Sequence, residues 1–176
     1  MELRIDPFEQ TILPHLDAAY NLARWLAGNE HDAQDIVQES CLRAVKFFEG
    51  FRGGNPRAWL LTIVRNTSYT WLKKRSAVHA LASIDEEEFE LEDLSANPQQ
   101  MELATASVER MRAAIDQLPP EFREVIVLRE MEECSYKEIA DIADVPIGTV
   151  MSRLARGRQQ LRMILCAETP LNGGQP

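Results

Sequence analysis

The chain has 176 residues and a mass of 20.0 kDa, room for one ordinary domain or two small ones. With 45% hydrophobic and 27% charged residues it can bury a sizeable core, which excludes wholesale disorder. A net charge of -9 argues, taken as an average, against a nucleic-acid partner.

No apolar run approaches the ~20 residues that span a bilayer, and the opening stretch is too acidic for a secretory signal. The expectation is therefore a cytoplasmic protein. The three cysteines, Cys41, Cys134 and Cys166, are far apart and never form a C-x-x-C pair, so neither a disulfide framework nor a zinc site is expected.

The average charge hides a pattern. Residues 50–80 carry Arg52, Arg57, Arg65, Lys73, Lys74 and Arg75 with no acid, a local +6. Residues 81–109 carry nine acids and no base, and residues 147–176 carry four arginines against Glu168. Two basic islands separated by an acidic stretch suit polyanion contact confined to two surfaces. A pair of solvated helix faces would show the same charges.

In chain order, the first segment reads as a helix over residues 8–26, interrupted or restarted at Pro14. Residues 32–48 carry Ala33, Ile36, Val37, Cys41, Ala44, Val45 and Phe48 at spacings of three and four, an amphipathic helix. Asn55-Pro56 reads as an N-cap followed by proline in the first helical position. The helix after it, residues 56–74, should bury Trp59, Leu60, Ile63, Val64 and Thr67. Trp59, Tyr69 and Trp71 alternate there with Arg65, Lys73, Lys74 and Arg75, around Asn66. Rings among cations suit unstacked bases, each stacking contact contributing about 1–3 kcal/mol. The glycine-containing turn between Phe51 and Asn55 could hold an extruded base. A core role for Trp59 and a structural one for Asn66, Tyr69 and Trp71 remain alternatives.

The acidic run IDEEEFELEDL reads as a linker, a spacer whose Phe89, Leu91 and Leu94 could alternatively lie in a partner's groove. Beyond Pro98, Val108, Met111, Ile115 and Leu118 form one stripe. Leu118-Pro119-Pro120 breaks the chain, and residues 121–131 form the next helix, with Phe122, Val125, Ile126 and Leu128 mostly inward. The predicted fold is all-α, with domains at 1–76 and 105–167, a linker at 77–104 and a tail at 168–176.

The segment SYKEIADIADVPIGTVMSRLARGRQQLR carries the most information. Ser135-x-x-Glu138 is a capping box opening a short helix, a tight connection follows at residues 144–147, and a long basic helix comes next. This is a helix-turn-helix. At about 100° per residue, Val150, Leu154, Gly157, Leu161 and Leu165 share one sector, with Gly157 permitting close helix approach. Thr149, Ser152, Arg153, Arg156 and Gln160 share another and supply the donors that base edges and phosphates require. Arg158 and Arg162 flank the buried stripe, where phosphates are the natural partners. Lys137, on the short helix, joins the candidate duplex contacts.

Together these blocks resemble the extracytoplasmic-function sigma factors of the sigma-70 family. NEHDAQDIVQESCLRAV is similar to the helix that docks on the polymerase clamp, and FRGGNPRAWLLTIVRNT to the segment that melts and reads the minus-ten element. The stretch from LPPEFREV to RLARGR is similar to the domain that reads the minus-thirty-five element. The resemblance implies that Asp35, Gln38, Glu39, Leu42 and Arg43 contact polymerase. It implies that the loop of Phe51, Arg52 and Asn55, with Arg65, Asn66, Tyr69, Lys73, Lys74 and Arg75, handles the minus-ten element. Ser152, Arg153 and Arg156 would reach the minus-thirty-five element. Met151 stands where related sequences often have a basic residue, so the target sequence does not carry over. The resemblance also implies core RNA polymerase, promoter DNA and an anti-sigma protein as partners, with no cofactor.

Two other functions compete. A stand-alone regulator would bind duplex operator DNA through the same helix-turn-helix and leave the Trp/Asn/basic segment without a role. An enzyme would need a reactive constellation, yet His15, His31 and His79 lie in separate segments without metal-spaced partners, nucleophile elbow or phosphate loop.

Overall fold

The computed structural model describes residues 6–82 and 104–168, and every regular element among them is helical. Residues 83–103 and 169–176, which hold the acidic run and most of the predicted linker (77–104) and tail (168–176), lie outside the described residues. Among the described residues, no helix is long and apolar enough to cross a membrane.

Asp6 opens α1 (Pro7–Ile12) by accepting from the Phe8 N–H, with Pro7 supplying the preset φ of a first helical residue. Pro14 then tightens the chain into a 3-10 turn over Leu13–His15 before α2 (Leu16–Ala27), the interruption the sequence predicts. Gly28, at φ 83°, ends α2 in the left-handed region. Asn29 caps α3 (Glu30–Phe47) through the Asp32 N–H. Asn55 caps α4 (Pro56–Ala82) through the Ala58 N–H at 3.1 Å. Helix α4 runs eight residues past the Lys74 end that periodicity predicts, and its last turns carry exposed Val78 and Leu81. Helices α2, α3 and α4 pack on one another around Leu22, Leu26, Ile36, Leu60, Leu61 and Val64.

The second set of helices begins with α5 (Ala104–Asp116) and α6 (Pro120–Ile126). Helix α6 loosens into a π turn over Val127–Met131, where the Glu132 N–H reaches back five residues to the Val127 carbonyl. Glu133 follows at φ 53°, a left-handed residue that turns the chain sharply into α7 (Tyr136–Ala143). The capping box at Ser135 and Glu138 is present in both directions. Asp144, also at φ 53°, ends α7, and Pro146 precedes α8 (Ile147–Ala167) at its N-cap position without a side-chain hydrogen bond. Helices α7 and α8 form the predicted helix-turn-helix, with α5 and α6 against α8.

Two stripe assignments need correction. The spacing in α3 predicts Val45 on the buried side, but it is 56% exposed and sits beside Leu42, 69% exposed. At about 100° per residue it lies some 120° from Ala33, off the face that Ala33, Ile36 and Ala44 bury. Only the second half of the α5 stripe is core: Ile115 and Leu118 are buried while Val108 and Met111 are exposed. Helix α5 packs chiefly on α8, which covers its C-terminal part alone.

The two helical sets touch directly. Helix α4 packs on α7 and α2 on α6, and the buried side chains of both sets form one contiguous cluster.

Candidate functional site

Helix α3 keeps its apolar residues against α2 and α4 and so turns the opposite side outward. Gln38 and Leu42 are exposed there, while Asp35, Glu39 and Arg43 are half-buried. Arg43 pairs with Glu39 one turn earlier, and His31 lies 3.7 Å from Asp35. The five residues assigned to polymerase docking therefore share one accessible helix side, extended by Val45.

The loop before α4 is anchored by an aromatic cluster. Phe51 stacks on Phe48, with centroids 6.1 Å apart, and meets Trp59 at 5.1 Å. Phe8 packs edge-on against Phe48 from α1. Phe51 and Trp59 are thus packing residues, and they leave Arg52 and Asn55 as the loop's exposed polar groups. Gly53 and Gly54 take φ values of 85° and 96°, which a side chain at either position would strain.

Further along α4 the candidate minus-ten residues divide. Lys73 and Lys74 are exposed. Arg75 pairs with Asp32 at 3.1 Å, and with Lys74, Trp71 and Val78 it lines a groove of about 530 Å³. Arg65, Asn66 and Tyr69 gather instead against the second set of helices. The Arg65 guanidinium lies 4.2 Å from the Tyr69 ring centroid, donates to Asn66 at 3.3 Å, and donates twice to Glu124 at 2.9 and 3.3 Å. Glu124 has no exposed surface, and Arg153 of the recognition helix approaches Oε1, the oxygen that also accepts the longer Arg65 bond, at 3.6 Å. One buried carboxylate thus joins a residue assigned to each promoter element.

The electrostatics follow from that burial. Desolvation works against the Arg65 charge, but the hydrogen bond to Glu124 and its attraction outweigh it, and the pKa ends above its usual value. Burial, and then the Glu124 charge, push Tyr69 ionisation well up. The Tyr69 hydroxyl is buried with no hydrogen-bond partner among the described residues.

On α8, Ser152 and Arg156 are exposed and Thr149 half-buried, with the Ser152 hydroxyl donating to the Thr149 carbonyl. Lys137 is exposed on α7. Arg158 is drawn to Glu130 at 2.7 Å. Val150, Leu154 and Gly157 are buried as the helical wheel requires, with Leu161 and Leu165 half-buried.

Sequence reasoning missed Arg57, Glu124, Glu132 and Glu138. Arg57 donates to both the carbonyl and the carboxylate of Glu132, the latter at 2.9 Å. Asn55 donates to Glu138 at 2.6 Å, and Asn21 to Glu132 at 3.4 Å. One signal was available: Glu124 stands four residues before buried Leu128, on the inward side of α6, where an acid requires a partner.

The geometry is that of a two-part helical protein with an amphipathic helix exposed along one side, an aromatic-basic helix and a helix-turn-helix. Sigma-70 region 2 matches residues 11–78, and Sigma-70, region 4 matches residues 108–161. The chain is 35% identical to the ECF RNA polymerase sigma factor SigE of Mycolicibacterium smegmatis, over 88% of this chain and 60% of that protein. It is 36% identical to the ECF RNA polymerase sigma-E factor of Salmonella typhimurium, over 74% of this chain and 72% of the relative. The sigma factor RpoE of Bartonella quintana, solved in complex with the anti-sigma factor NepR, superposes with a TM-score of 0.76 at 29% identity. That likeness covers 94% of this chain and all of the other. The chain belongs to the extracytoplasmic-function sigma factors of the sigma-70 family.

Proposed function

We propose that this chain is a promoter-specificity subunit that binds core RNA polymerase in the cytoplasm and performs no covalent chemistry itself. Residues 1–76 would form the unit that docks on polymerase and traps unpaired minus-ten bases, and residues 105–167 the unit that reads minus-thirty-five duplex. Trapping opened bases shifts the closed-to-open equilibrium of the promoter, because only the melted state offers them. The acidic stretch between would serve as the tether. An anti-sigma protein would hold the chain inactive, a reading supported by the complex of the Bartonella quintana sigma factor RpoE with the anti-sigma factor NepR.

The observation that carries this reading is the exposed side of α3, with Gln38, Leu42 and Val45, on a chain that also presents Ser152 and Arg156 on a capped helix-turn-helix. A stand-alone operator binder has no use for that side of α3. The test is transcription from genomic fragments by core polymerase with and without the purified chain. Promoter-directed transcripts should appear only with it, Asp35→Ala should weaken polymerase binding, and Arg153→Ala should weaken minus-thirty-five-dependent initiation. Absence of any promoter-directed transcript on every template overturns the reading.

A further inference from the structure

Helix α8 turns two kinds of chemistry outward. Val150, Leu154 and Gly157 face the core, which leaves Met151, Ser152, Ala155 and Arg156 exposed. At about 100° per residue, Ala155 lies about 40° from Met151 and about 60° from Ser152, with Arg156 about 40° further on. Ile147, the first residue of the helix, lies about 40° from Met151 on its other flank. Met151 is 53% exposed and Ile147 46%. An apolar strip therefore runs beside the polar groups along the N-terminal half of α8, the part that a helix-turn-helix lays against base edges.

We infer that Met151, flanked by Ala155 and Ile147, reads the C5-methyl groups of thymines in the duplex that α8 enters. The inference rests on the promoter reading proposed above and names the base preference of its helix-turn-helix.

Thymine carries the one methyl group on the major-groove edge of unmodified DNA. A thioether donates no hydrogen bond, so Met151 cannot select the N7 and O6 acceptors of guanine. It gains by covering apolar surface, and its unbranched, polarisable side chain can follow a methyl without a fixed angular demand. Met151 and Ala155 stand about 6 Å apart along the axis, while base pairs rise by about 3.4 Å, so the two reach different pairs. The Ser152 hydroxyl already donates to the Thr149 carbonyl at 3.1 Å and so meets DNA as an acceptor. Adenine and cytosine both offer an amino group to such an acceptor, but only adenine pairs with a base that carries a methyl. Met151 and Ser152 together therefore favour A·T pairs. Arg156 is left for guanine edges or phosphates.

The test selects duplexes from a random-sequence pool, in one arm with the full chain on core RNA polymerase and in the other with the full chain alone. Each thymine of the selected site is then replaced singly by deoxyuridine, which removes the methyl and keeps the pairing. Loss of one buried methyl-sized group should weaken wild-type binding about threefold to fivefold at one or two positions. Met151→Ala should lower affinity for the thymine site by a similar factor and bring the deoxyuridine penalty at its position below about 1.5-fold, the coupling expected of groups in contact. Met151→Lys should shift the selected pair at that position toward G·C, because guanine N7 and O6 accept from an ammonium. Gln159→Ala, on the same exposed side two turns further along, should keep the full penalty. Circular dichroism confirms folding of each variant.

Wild-type binding indifferent to deoxyuridine at every position, a penalty undiminished in Met151→Ala, or a selection that enriches no sequence in either arm would each overturn the inference. A methyl penalty on a chain that directs no transcription would strike the promoter reading and leave the methyl contact standing. Promoter-directed transcription without any methyl penalty would do the reverse.

Discussion

Gly157 lets the recognition helix approach α6 closely. A Cβ built there would lie 3.2 Å from Cγ1 and 3.4 Å from Cδ1 of Ile126, and 3.5 Å from Cβ of Phe122. Comfortable carbon contacts lie at about 3.5–4.0 Å, so Gly157→Ala demands a shift of a few tenths of an ångström. Ile126 is 2% exposed and packed in the core, and the Phe122 Cβ moves only with the α6 backbone. Helix propensity favours alanine by about 0.8–1.0 kcal/mol, while overpacking costs about 1–3 kcal/mol. The variant should therefore lose about 1 kcal/mol. In an Ile126→Ala background the obstructing atoms are gone, and the same substitution should stabilise by the propensity difference alone. The resulting coupling of about 2 kcal/mol lies in the range for residues in contact. Urea unfolding of the four chains measures it through midpoint shifts at constant slope. If Gly157→Ala stabilises the wild-type chain by about 1 kcal/mol, or if the two changes simply add, the helices separate freely and the close-approach argument is wrong. Spreading α6 from α8 would also lengthen the Arg153–Glu124 pair, since α6 carries Glu124.

Leu42→Asp should leave stability within about 0.5 kcal/mol because the side chain is 69% exposed, yet cut polymerase affinity about tenfold. Competition with a labelled relative for core enzyme measures this, and unchanged binding removes Leu42 from the docking side. Arg156→Ala should lower duplex affinity and, if the contact is to phosphate, reduce the salt slope by about one; a base contact would instead relax specificity at one position. Duplex binding across a salt series distinguishes the two, and no change in either eliminates Arg156 as a contact. Thiol labelling at pH 8 should modify exposed Cys166 first and Cys134 last, because burial pushes the Cys134 thiol up to about 11 and the thiolate is the reactive form. The Cys134 rate should climb as pH rises toward that value, and equal early rates would contradict the buried position.

Local chemistry alone was enough to specify the helices and their ends. Asn55 and Pro56 start α4, and Ser135 and Glu138 cap α7, because these side chains satisfy backbone groups a few residues away in the same chain. The helical wheel likewise placed Val150, Leu154 and Gly157 inward and Ser152 and Arg156 outward, since a helix that packs on one side exposes the other. Where periodicity failed, at Val45, Val108 and Met111, the extent of the partner surface decided burial, and no repeat within one segment reports that extent.

Pairing across the two helical units was beyond the sequence. Arg57 and Arg65 read there as members of one basic island and Asn55 as a helix cap, while Glu124 and Glu132 read as ordinary acids of a second domain and Glu138 as half of a capping box. Only the tertiary structure sets the α4 guanidinium groups against those carboxylates, 59 and 75 residues away along the chain. Ion pairing depends on distance in space, and charge order along a chain does not encode it.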